Sequence, residues 1–250
     1  MNILFTICGR AGSKGIKNKN IRDFLGKPLP YYTVSAIDLF LSKTKLDIDG
    51  DIVVNTDSPE LITLMKENKM REIFVIERTP DLGGDLVSKQ AVIRDCRRRM
   101  EAQNNKTYDF VVDVDITSPL RTCEDFEKLF STHIAKHPDI TTTVVPARRN
   151  PYFNQVCLKE KGYNRVIASE FVARQQAPDI FDMNASIYAY SPEFLSSDRP
   201  FWDSYIECVE MYDTGILDLD HENDFSLMEV IAKYLFEEKE EFREIFENIR

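Results

Sequence analysis

The chain has little of what several large protein classes require. Its five cysteines are widely spaced and include no Cys-x-x-Cys pair, so neither a zinc site nor a disulfide framework is indicated. It has no apolar run long enough to span a bilayer and no basic, apolar leader, so we expect a cytoplasmic protein with no membrane partner. Positive charge is scarce too. The net charge of −10 argues against nucleic acid as a partner.

Against this acidic background, the segment after the first apolar run is basic. The run 3–8 has strand character and ends in a loop with glycines at 9, 12 and 15, a spacing that fits neither G-x-x-x-x-G-K-[ST] nor G-x-G-x-x-G. Backbone N–H groups in tight turns, together with several cations, suit a polyphosphate at the carboxyl end of a strand. A surface turn with solvated lysines is the alternative. Five cations come before the first acidic residue: Arg10, Lys14, Lys17, Lys19 and Arg22.

Short apolar runs alternate with segments of helical periodicity along most of the chain. This alternation predicts an α/β fold with a mainly parallel sheet covered on both faces, and we expect one domain over 1–250. The rhythm breaks at Pro146, where 147–182 predicts an inserted, hairpin-like arm. The predicted strands are 3–8, 51–56, 72–76, 108–114, 140–145, 184–190 and 207–212. The predicted helices are 32–40, 57–69, 88–100, 124–136 and the helical periodicity of 222–250.

Near the end of the chain, two aspartates lie two residues apart in Leu217-Asp218-Leu219-Asp220. In extended backbone such residues share a side, so both carboxylates could reach one hard cation such as Mg²⁺. The alternative is an acidic loop that caps the following helix, with Asp220 or Asp224 as the N-cap. The polyphosphate loop favours the metal, because nucleotidyl transfer needs both parts. Together they predict attack of a hydroxyl on the α-phosphorus of a nucleoside triphosphate, with loss of pyrophosphate.

Three segments, in order along the chain, resemble the acylneuraminate cytidylyltransferases, also called CMP-N-acetylneuraminate synthetases. They are 8–20, the Thr-Ser-Pro-Leu-Arg run 117–121, and 217–220. Segments 113–121, 146–154 and 174–178 with 182–188 are similar to the branch that activates legionaminic acid. The resemblance implies a Rossmann-like three-layer sandwich of the nucleotide-diphospho-sugar transferase type, with 147–182 as a dimerisation arm. It also implies a homodimeric enzyme that joins CTP to a nine-carbon sugar acid, with Mg²⁺ as cofactor.

The resemblance also implies roles for individual residues. The metal ligands would be Asp218 and Asp220, and the catalytic set would be these two with Arg10 and Lys19. The arm would cross to a second subunit and bring Arg174 near that subunit's sugar site. The nucleotide would contact Arg10, Gly12, Ser13, Lys14, Lys19, Asn20 and Arg78. The sugar acid would contact Asp115, Ser118, Arg174 and Asn184.

Two acidic residues depart from the sialic-acid pattern. Asp115 aligns with a glutamine of those enzymes, and Asp182 with an arginine of the arm's return strand. A carboxylate in place of a cation inverts the interaction with the substrate's own carboxylate, so plain N-acetylneuraminate is not the favoured substrate. Asp115 either accepts hydrogen bonds from sugar hydroxyl or amide groups or caps the turn that follows it.

Several alternatives stay open on the sequence alone. The same fold could act on another sugar acid, such as KDO or pseudaminic acid, or serve as a nucleotide-binding module without turnover. Arg78 could be a surface cation. Arg148 and Arg149 either pair with acids across a dimer seam or are exposed. His133 and His137 lie four residues apart on a predicted helix, which favours core or surface roles because a metal needs more ligands.

Overall fold

The computed structural model describes residues 1–12, 15–84, 87–213, 219 and 221–250. Each predicted strand and helix is present close to its expected bounds. The strands are β1 (Asn2–Cys8), β2 (Asp23–Phe24), β3 (Lys27–Pro28), β4 (Asp49–Thr56), β5 (Phe74–Glu77), β6 (Phe110–Val114), β7 (Ile140–Pro146), β8 (Val156–Lys159), β9 (Gly162–Arg165), β10 (Phe181–Tyr190) and β11 (Ile206–Glu210). The helices are α1 (Leu29–Lys43), α2 (Pro59–Glu67), α3 (Lys89–Asn104), α4 (Cys123–Lys136), α5 (Pro192–Ser196), α6 (Glu222–Glu238) and α7 (Glu240–Glu247).

Seven of the strands form one sheet in the order β11-β7-β10-β6-β1-β4-β5. β1 pairs in parallel with both β4 and β6, β4 with β5, and β7 with β11. Only β10 runs antiparallel to its neighbours within this sheet. The predicted mainly parallel sheet is therefore confirmed. The chain first builds outward from β1 through β4 and β5 and then returns to β6 on the other side. Such a switch point opens a crevice outside the carboxyl ends of β1 and β6.

Helices cover both faces of the sheet, because successive side chains of a strand point to opposite faces. Phe5 of β1 belongs to a core shared with α1, α4, α6 and α7, where its ring lies 6.4 Å from that of Phe40 and 6.2 Å from that of Phe130. Its neighbour Leu4 belongs to the opposite core, packed by α3 and α5. The three-layer sandwich is confirmed.

Capping residues fix where the helices begin at the carboxyl edge of the sheet. Ser58 accepts a hydrogen bond from the backbone N–H of Leu61 at 3.2 Å, and Ser88 accepts one from Ala91 at 3.2 Å. Thr122 forms a reciprocal capping box with Asp125. Ser88 thereby makes Lys89 the first residue of α3 and places it beside the crevice.

The arm contains a hairpin, as predicted. β8 and β9 form a separate two-stranded sheet, and Gly162 has the positive φ of 81° that the turn requires. The main sheet resumes at Phe181, three residues before the expected strand, because Phe181 pairs with Pro146. The helical region at the end of the chain is two helices, since Lys239 between them is extended. Within the described residues, no helix is long and apolar enough to cross a membrane.

Candidate active site

The loop after β1 begins at the point where three parts of the chain meet. The backbone N–H of Gly9 donates to the carbonyl of Asn55 at 3.1 Å. A Cβ on Gly9 would lie 2.8 Å from Leu61 Cδ2 and 2.9 Å from Ile116 Cδ1, so a larger residue here would have to displace the ends of these two side chains. Glycine is favoured at Gly12 for a different reason, its φ of 73°. The loop therefore starts in the crevice at the switch point.

The cationic loop contacts the segment between β11 and α6. Lys19 Nζ donates to the carbonyl oxygen of Leu219 at 2.7 Å. Arg22 Nη1 contacts Glu222 Oε2 at 2.5 Å, and its guanidinium lies 4.1 Å from the centre of the Phe225 ring. The side chain of Leu219 is completely buried. Two regions about two hundred residues apart in sequence are thus joined at the crevice.

Four predicted site residues, Ser13, Lys14, Asp218 and Asp220, lie outside the described residues. In sequence, Leu219 stands between the two predicted metal ligands. Asn20 is predicted to contact the cytidine. Its Nδ2 donates a hydrogen bond to the carbonyl oxygen of Arg10 at 3.0 Å. The short 3₁₀ helix Lys19–Ile21 therefore braces the start of the basic loop.

Arg78 has a defined position at the same edge of the sheet. Its Nε donates to Asn55 Oδ1 at 2.7 Å and its Nη2 to the carbonyl of Asn55 at 3.1 Å. Asn55 is completely buried at the end of β4 and also accepts the hydrogen bond from Gly9. Arg78 is half-buried, and it lies beside the loop rather than on an open surface.

A lysine lies between two carboxylates at the end of β6. Lys89 Nζ lies 2.6 Å from Asp113 Oδ2 and 2.8 Å from Asp115 Oδ2. Thr6 Oγ1 donates to the other oxygen of Asp113 at 2.8 Å. Burial disfavours charge on Lys89, but the charges of Asp113 and Asp115 outweigh it and raise its pKa well above the ordinary value. Burial likewise opposes ionisation of Asp115. The charge of Lys89 and the hydrogen bonds from Lys89 and Thr117 have the larger effect and lower the pKa of Asp115 to about 2.

Asp115 also caps the turn that follows it. Its Oδ1 accepts hydrogen bonds from the backbone N–H of Thr117 at 3.0 Å and from the hydroxyl of Thr117 at 2.9 Å. The turn-capping alternative is therefore present, and the second carboxylate oxygen is what remains for Lys89 and a ligand. The side chain of Asp115 is partly exposed in the crevice.

Ser118 lies in a segment that a buried arginine holds in place. The guanidinium of Arg121 donates to the carbonyl of Asp115 at 2.5 Å and to the carbonyl of Ser118. The side chain of Arg121 is completely buried, and this burial lowers its pKa to about 10. Arg121 thus fixes the main chain under the site, while the half-buried Ser118 lies nearer the opening.

Two predicted sugar contacts have other surroundings. Asn184 is buried, accepts a hydrogen bond from Thr143 Oγ1 at 2.6 Å, and lies beside a bulge in β10 where Ala185 has a φ of 49°. Arg174 is exposed on the arm, where its Nη2 donates to the carbonyl of Ala147 at 3.2 Å. Neither contact links these residues to the loop after β1.

The remaining sequence alternatives resolve into local roles. His133 is buried with its Nδ1 2.9 Å from Thr141 Oγ1, and burial lowers its pKa to about 4. Arg148 pairs within its own chain, with Asp213 Oδ2 at 2.9 Å, and Arg149 is exposed. Over the described ranges, no group of three or more histidine, cysteine or acidic residues could hold a metal ion.

Sequence reasoning missed Lys89, Asp113 and Asp57 as parts of this site. Asp57 Oδ1 accepts the backbone N–H of Ala11 at 2.7 Å and so shapes the basic loop. The sequence could have indicated Asp113, because it precedes Asp115 by two residues at the end of a predicted strand. Lys89 carried no such signal, because only the fold brings the start of α3 to the end of β6.

A basic, glycine-dependent loop that meets a late acidic segment at the switch point of an α/β sheet defines a nucleotidyltransferase. Residues 4–197 match the family described as Cytidylyltransferase, and the chain belongs to that family.

Relatives cover nearly the whole chain. It is 34% identical to the CMP-N,N'-diacetyllegionaminic acid synthase of Campylobacter jejuni, over 92% of this chain and 94% of that protein. It is 33% identical to the post-translational flagellin modification protein B of Campylobacter coli, over 92% of this chain and 95% of that one. Among solved structures, CMP:2-keto-3-deoxy-manno-octonic acid synthetase complexed with CTP shares the fold, with a TM-score of 0.66, 15% identity, and coverage of 94% and 99%.

Proposed function

We propose that this enzyme transfers the cytidylyl group of CTP to a nonulosonic acid. The anomeric hydroxyl of the sugar acid attacks the α-phosphorus and loses its proton, while the bond from that phosphorus to the β-phosphate oxygen breaks. The products are the CMP-sugar and pyrophosphate. Membership of the cytidylyltransferase family and the similarity to a CMP-N,N'-diacetyllegionaminic acid synthase support this assignment. The main structural support for this assignment is the hydrogen bond from Lys19 to Leu219, because this contact joins the basic loop to the acidic segment.

The basic loop would bind the triphosphate. Cations and main-chain N–H groups offset the charge that grows on the leaving pyrophosphate. We assign this role to Arg10, Gly12, Ser13, Lys14 and Lys19. Asn20 and Arg78 would contact the cytidine, and the two hydrogen bonds from Arg78 to Asn55 support a fixed guanidinium at that position.

Cytidylyltransferases of this kind generally use a divalent metal, and we propose Mg²⁺ held by Asp218 and Asp220. Two carboxylates are the hard oxygen ligands that Mg²⁺ prefers, and the buried Leu219 between them is anchored by Lys19. When bound, Mg²⁺ neutralises phosphate charge and orients the triphosphate. Lys19 places its ammonium group at the same segment, which keeps the cations of the loop close to the acids that hold the metal.

We propose Asp115, Ser118, Arg174 and Asn184 as sugar-acid contacts and a nonulosonic acid of the legionaminic type as the preferred substrate. The test is pyrophosphate release from CTP with a panel of sugar acids. The panel holds N,N'-diacetyllegionaminate, N-acetylneuraminate, pseudaminate and KDO. We expect the highest kcat/KM with N,N'-diacetyllegionaminate. CTP binding without pyrophosphate release with any of the four would instead indicate a binding module.

We propose that the enzyme is a homodimer joined by the arm 147–182, within a single domain over 1–250, and that it acts in the cytoplasm, where CTP is available. The arm exposes apolar side chains that water alone would cover in a monomer: Leu158 at 70%, Tyr163 at 71% and Val172 at 82%. Mixing inactive Arg174→Ala and Lys19→Ala proteins tests the exchange. If Arg174 serves the partner's site, mixed dimers regain activity, whereas an arm that serves its own site gives no recovery.

A further inference from the structure

The cluster of Lys89, Asp113 and Asp115 lies at the carboxyl end of the sheet, and none of its residues is among those to which we assign the triphosphate. Lys89 is the first residue of α3, where the helix dipole disfavours a cation. Its two carboxylate partners reverse that local preference, and the Lys89 side chain remains 37% exposed. Lys89 is therefore charged despite the unfavourable helix dipole, and its side chain is exposed to the crevice. Packing alone does not require this arrangement.

We propose that Lys89 and Asp115 together form a subsite for a secondary amide, the N-acyl group of the sugar acid. This inference rests on the proposed function and specifies which substituent the crevice recognises. An amide presents one N–H donor and one carbonyl acceptor side by side. Lys89 and Asp115, 2.8 Å apart, present one donor and one acceptor to match.

Counting hydrogen-bonding capacity gives this match. An ammonium group has three N–H donors. Within the part of the chain that the structure describes, Lys89 donates one to Asp115 Oδ2 at 2.8 Å, and its ion pair with Asp113 Oδ2 at 2.6 Å occupies a second side of the ammonium. A carboxylate offers about four acceptor positions. Asp115 uses three of them, two for Thr117 and one for Lys89. One donor and one acceptor are left at the edge of the crevice.

The charge balance of the cluster favours a neutral ligand group. Lys89 is offset by Asp113, which is completely buried and cannot reach a ligand in the crevice. The guanidinium of Arg121 lies against the main chain of Asp115 from below and offsets the second carboxylate. Lys89 and Arg121 are matched by Asp113 and Asp115, and Asp125 also acts on Arg121, so the subsite has no excess of positive charge to attract the substrate's carboxylate.

The same geometry excludes a metal ion between the two aspartates. Asp113 and Asp115 have the two-residue spacing of a metal-binding pair, but the ammonium of Lys89 occupies the position between their Oδ2 atoms. Of this pair and the later Asp-x-Asp pair at 218 and 220, we assign the metal only to the later one. The earlier one is committed to holding Lys89.

The test compares sugar acids that differ in one substituent. The measured quantity is the ratio of kcat/KM for a nonulosonate bearing an acetamido group to that for the same nonulosonate with a hydroxyl in its place. We expect the wild-type enzyme to favour the acetamido compound. Asp115→Asn and Lys89→Met should each lower that ratio by about tenfold, because each leaves one amide group of the ligand unpaired. The KM for CTP should stay unchanged.

Lys106→Met is the matched control. Lys106 also lies between two aspartates, 2.9 Å from both Asp49 Oδ2 and Asp51 Oδ2, but at the amino end of the sheet. Its substitution should leave the ratio as in the wild type. If Lys89→Met does not fold, Lys89→Arg keeps the charge with a different donor geometry and should still shift the ratio.

An unchanged ratio in Asp115→Asn and in the folded Lys89 variant would overturn the amide subsite while leaving the cytidylyltransferase assignment intact. A rise in the KM for CTP with no change in the ratio would also overturn it, since the pair would then serve the nucleotide. Failure of the wild-type enzyme to use any nonulosonate would overturn the proposed function itself, and the subsite with it.

Discussion

Each end of the sheet holds a lysine between two aspartates spaced two residues apart. At the amino end, Lys106 lies between Asp49 and Asp51, and at the carboxyl end Lys89 lies between Asp113 and Asp115. The two clusters expose opposite charges. The Lys106 side chain is 16% exposed while that of Asp49 is 71% exposed, whereas that of Lys89 is 37% exposed over a completely buried Asp113.

This difference shows that the same set of one lysine and two aspartates can have two functions, depending on which charge is exposed. At the amino end, Asp51 also accepts hydrogen bonds from Tyr108 at 2.6 Å and from Asn104 at 3.1 Å, so the cluster ties β4 to the start of β6. At the carboxyl end, the ammonium faces a crevice lined by a cationic loop. The first arrangement stabilises the fold, and the second leaves hydrogen-bonding groups for a ligand.

The amino end of the sheet also has a sizeable cavity, but its polar lining differs from that of the carboxyl end. A cavity of about 580 Å³ lies at the amino end, lined by Phe110, His133 and Asp139 among others. Two of its polar side chains already have partners within the chain. Asp139 receives two hydrogen bonds at 2.8 Å from Arg199, and His133 is held by Thr141. We therefore place the chemistry at the carboxyl end, where the switch point and the charged loop coincide.

The largest expected effect is at the carboxyl end. Asp220→Ala should abolish metal-dependent turnover while sparing the fold, because one of the two proposed metal ligands is lost. Pyrophosphate release at increasing Mg²⁺ concentration, with a thermal melt as the control for folding, measures this. Full activity in the variant would remove Asp220 from the metal site.

Lys19→Ala should follow with a smaller loss. One preorganised charge contributes about 2 to 4 kcal/mol to the transition state, so kcat/KM for CTP should fall by roughly 30-fold to 10³-fold. Lys106→Ala at the other end serves as the control and should leave kcat/KM for CTP unchanged. Equal kinetics in the two variants would contradict the assignment of the loop.

At the amino end, we expect His133 to make the free energy of unfolding depend on pH. Burial holds the pKa of His133 at about 4, below its usual value near 6.5 in the unfolded chain. Between these values the unfolded chain binds a proton that the folded chain does not. The free energy of unfolding should therefore drop as pH falls from about 6.5 to 4, by about 3 kcal/mol.

Urea unfolding at several pH values measures this slope. His133→Gln removes the titration, so its stability should vary less over that range. The exposed His137→Asn, which suits the left-handed φ of 49° at that helix end, should keep the wild-type slope. The same slope in all three proteins would show that His133 is not responsible.

The smallest expected effects come from two glycines at opposite ends of the sheet. A Cβ at Gly9 would lie 2.8 Å from Leu61 and 2.9 Å from Ile116, and one at Gly50 would lie 3.2 Å from Leu41 and from Phe5. Gly9→Ala should displace the loop and lower kcat/KM for CTP by about tenfold. Gly50→Ala should cost about 1 kcal/mol of stability and leave kinetics unchanged. If Gly50→Ala lost activity and Gly9→Ala did not, the amino end and not the carboxyl end would hold the active site.

The sequence predicted the elements well because their signals are local. The apolar run of β1 and the Ser-Pro start of α2 each carry their own periodicity or cap. The antiparallel β10 and the break at Lys239 were harder to predict. The first depends on pairing with β6 and β7, and the second on packing of α7 against α1.

For the site, the sequence indicated the two charged segments and the resemblance supplied roles, but the contacts between them come from the fold. That Lys19 reaches Leu219 could be expected only as convergence on one ligand. That Asp115 faces Lys89 could not be expected, because α3 and β6 are brought together by the sheet. Residue type shows what a side chain can bind, and tertiary structure decides which partner is near.

The hydrogen bond between Lys19 and Leu219 also has a consequence for the order in which contacts form during synthesis. A ribosome that has finished residue 197 has made the whole region shared with the family and every strand of the sheet but β11. That nascent chain does not yet contain Leu219, whose carbonyl accepts the hydrogen bond from Lys19. This contact can therefore form only after every strand of the main sheet has been made, since β11 ends at Glu210 and Leu219 follows it.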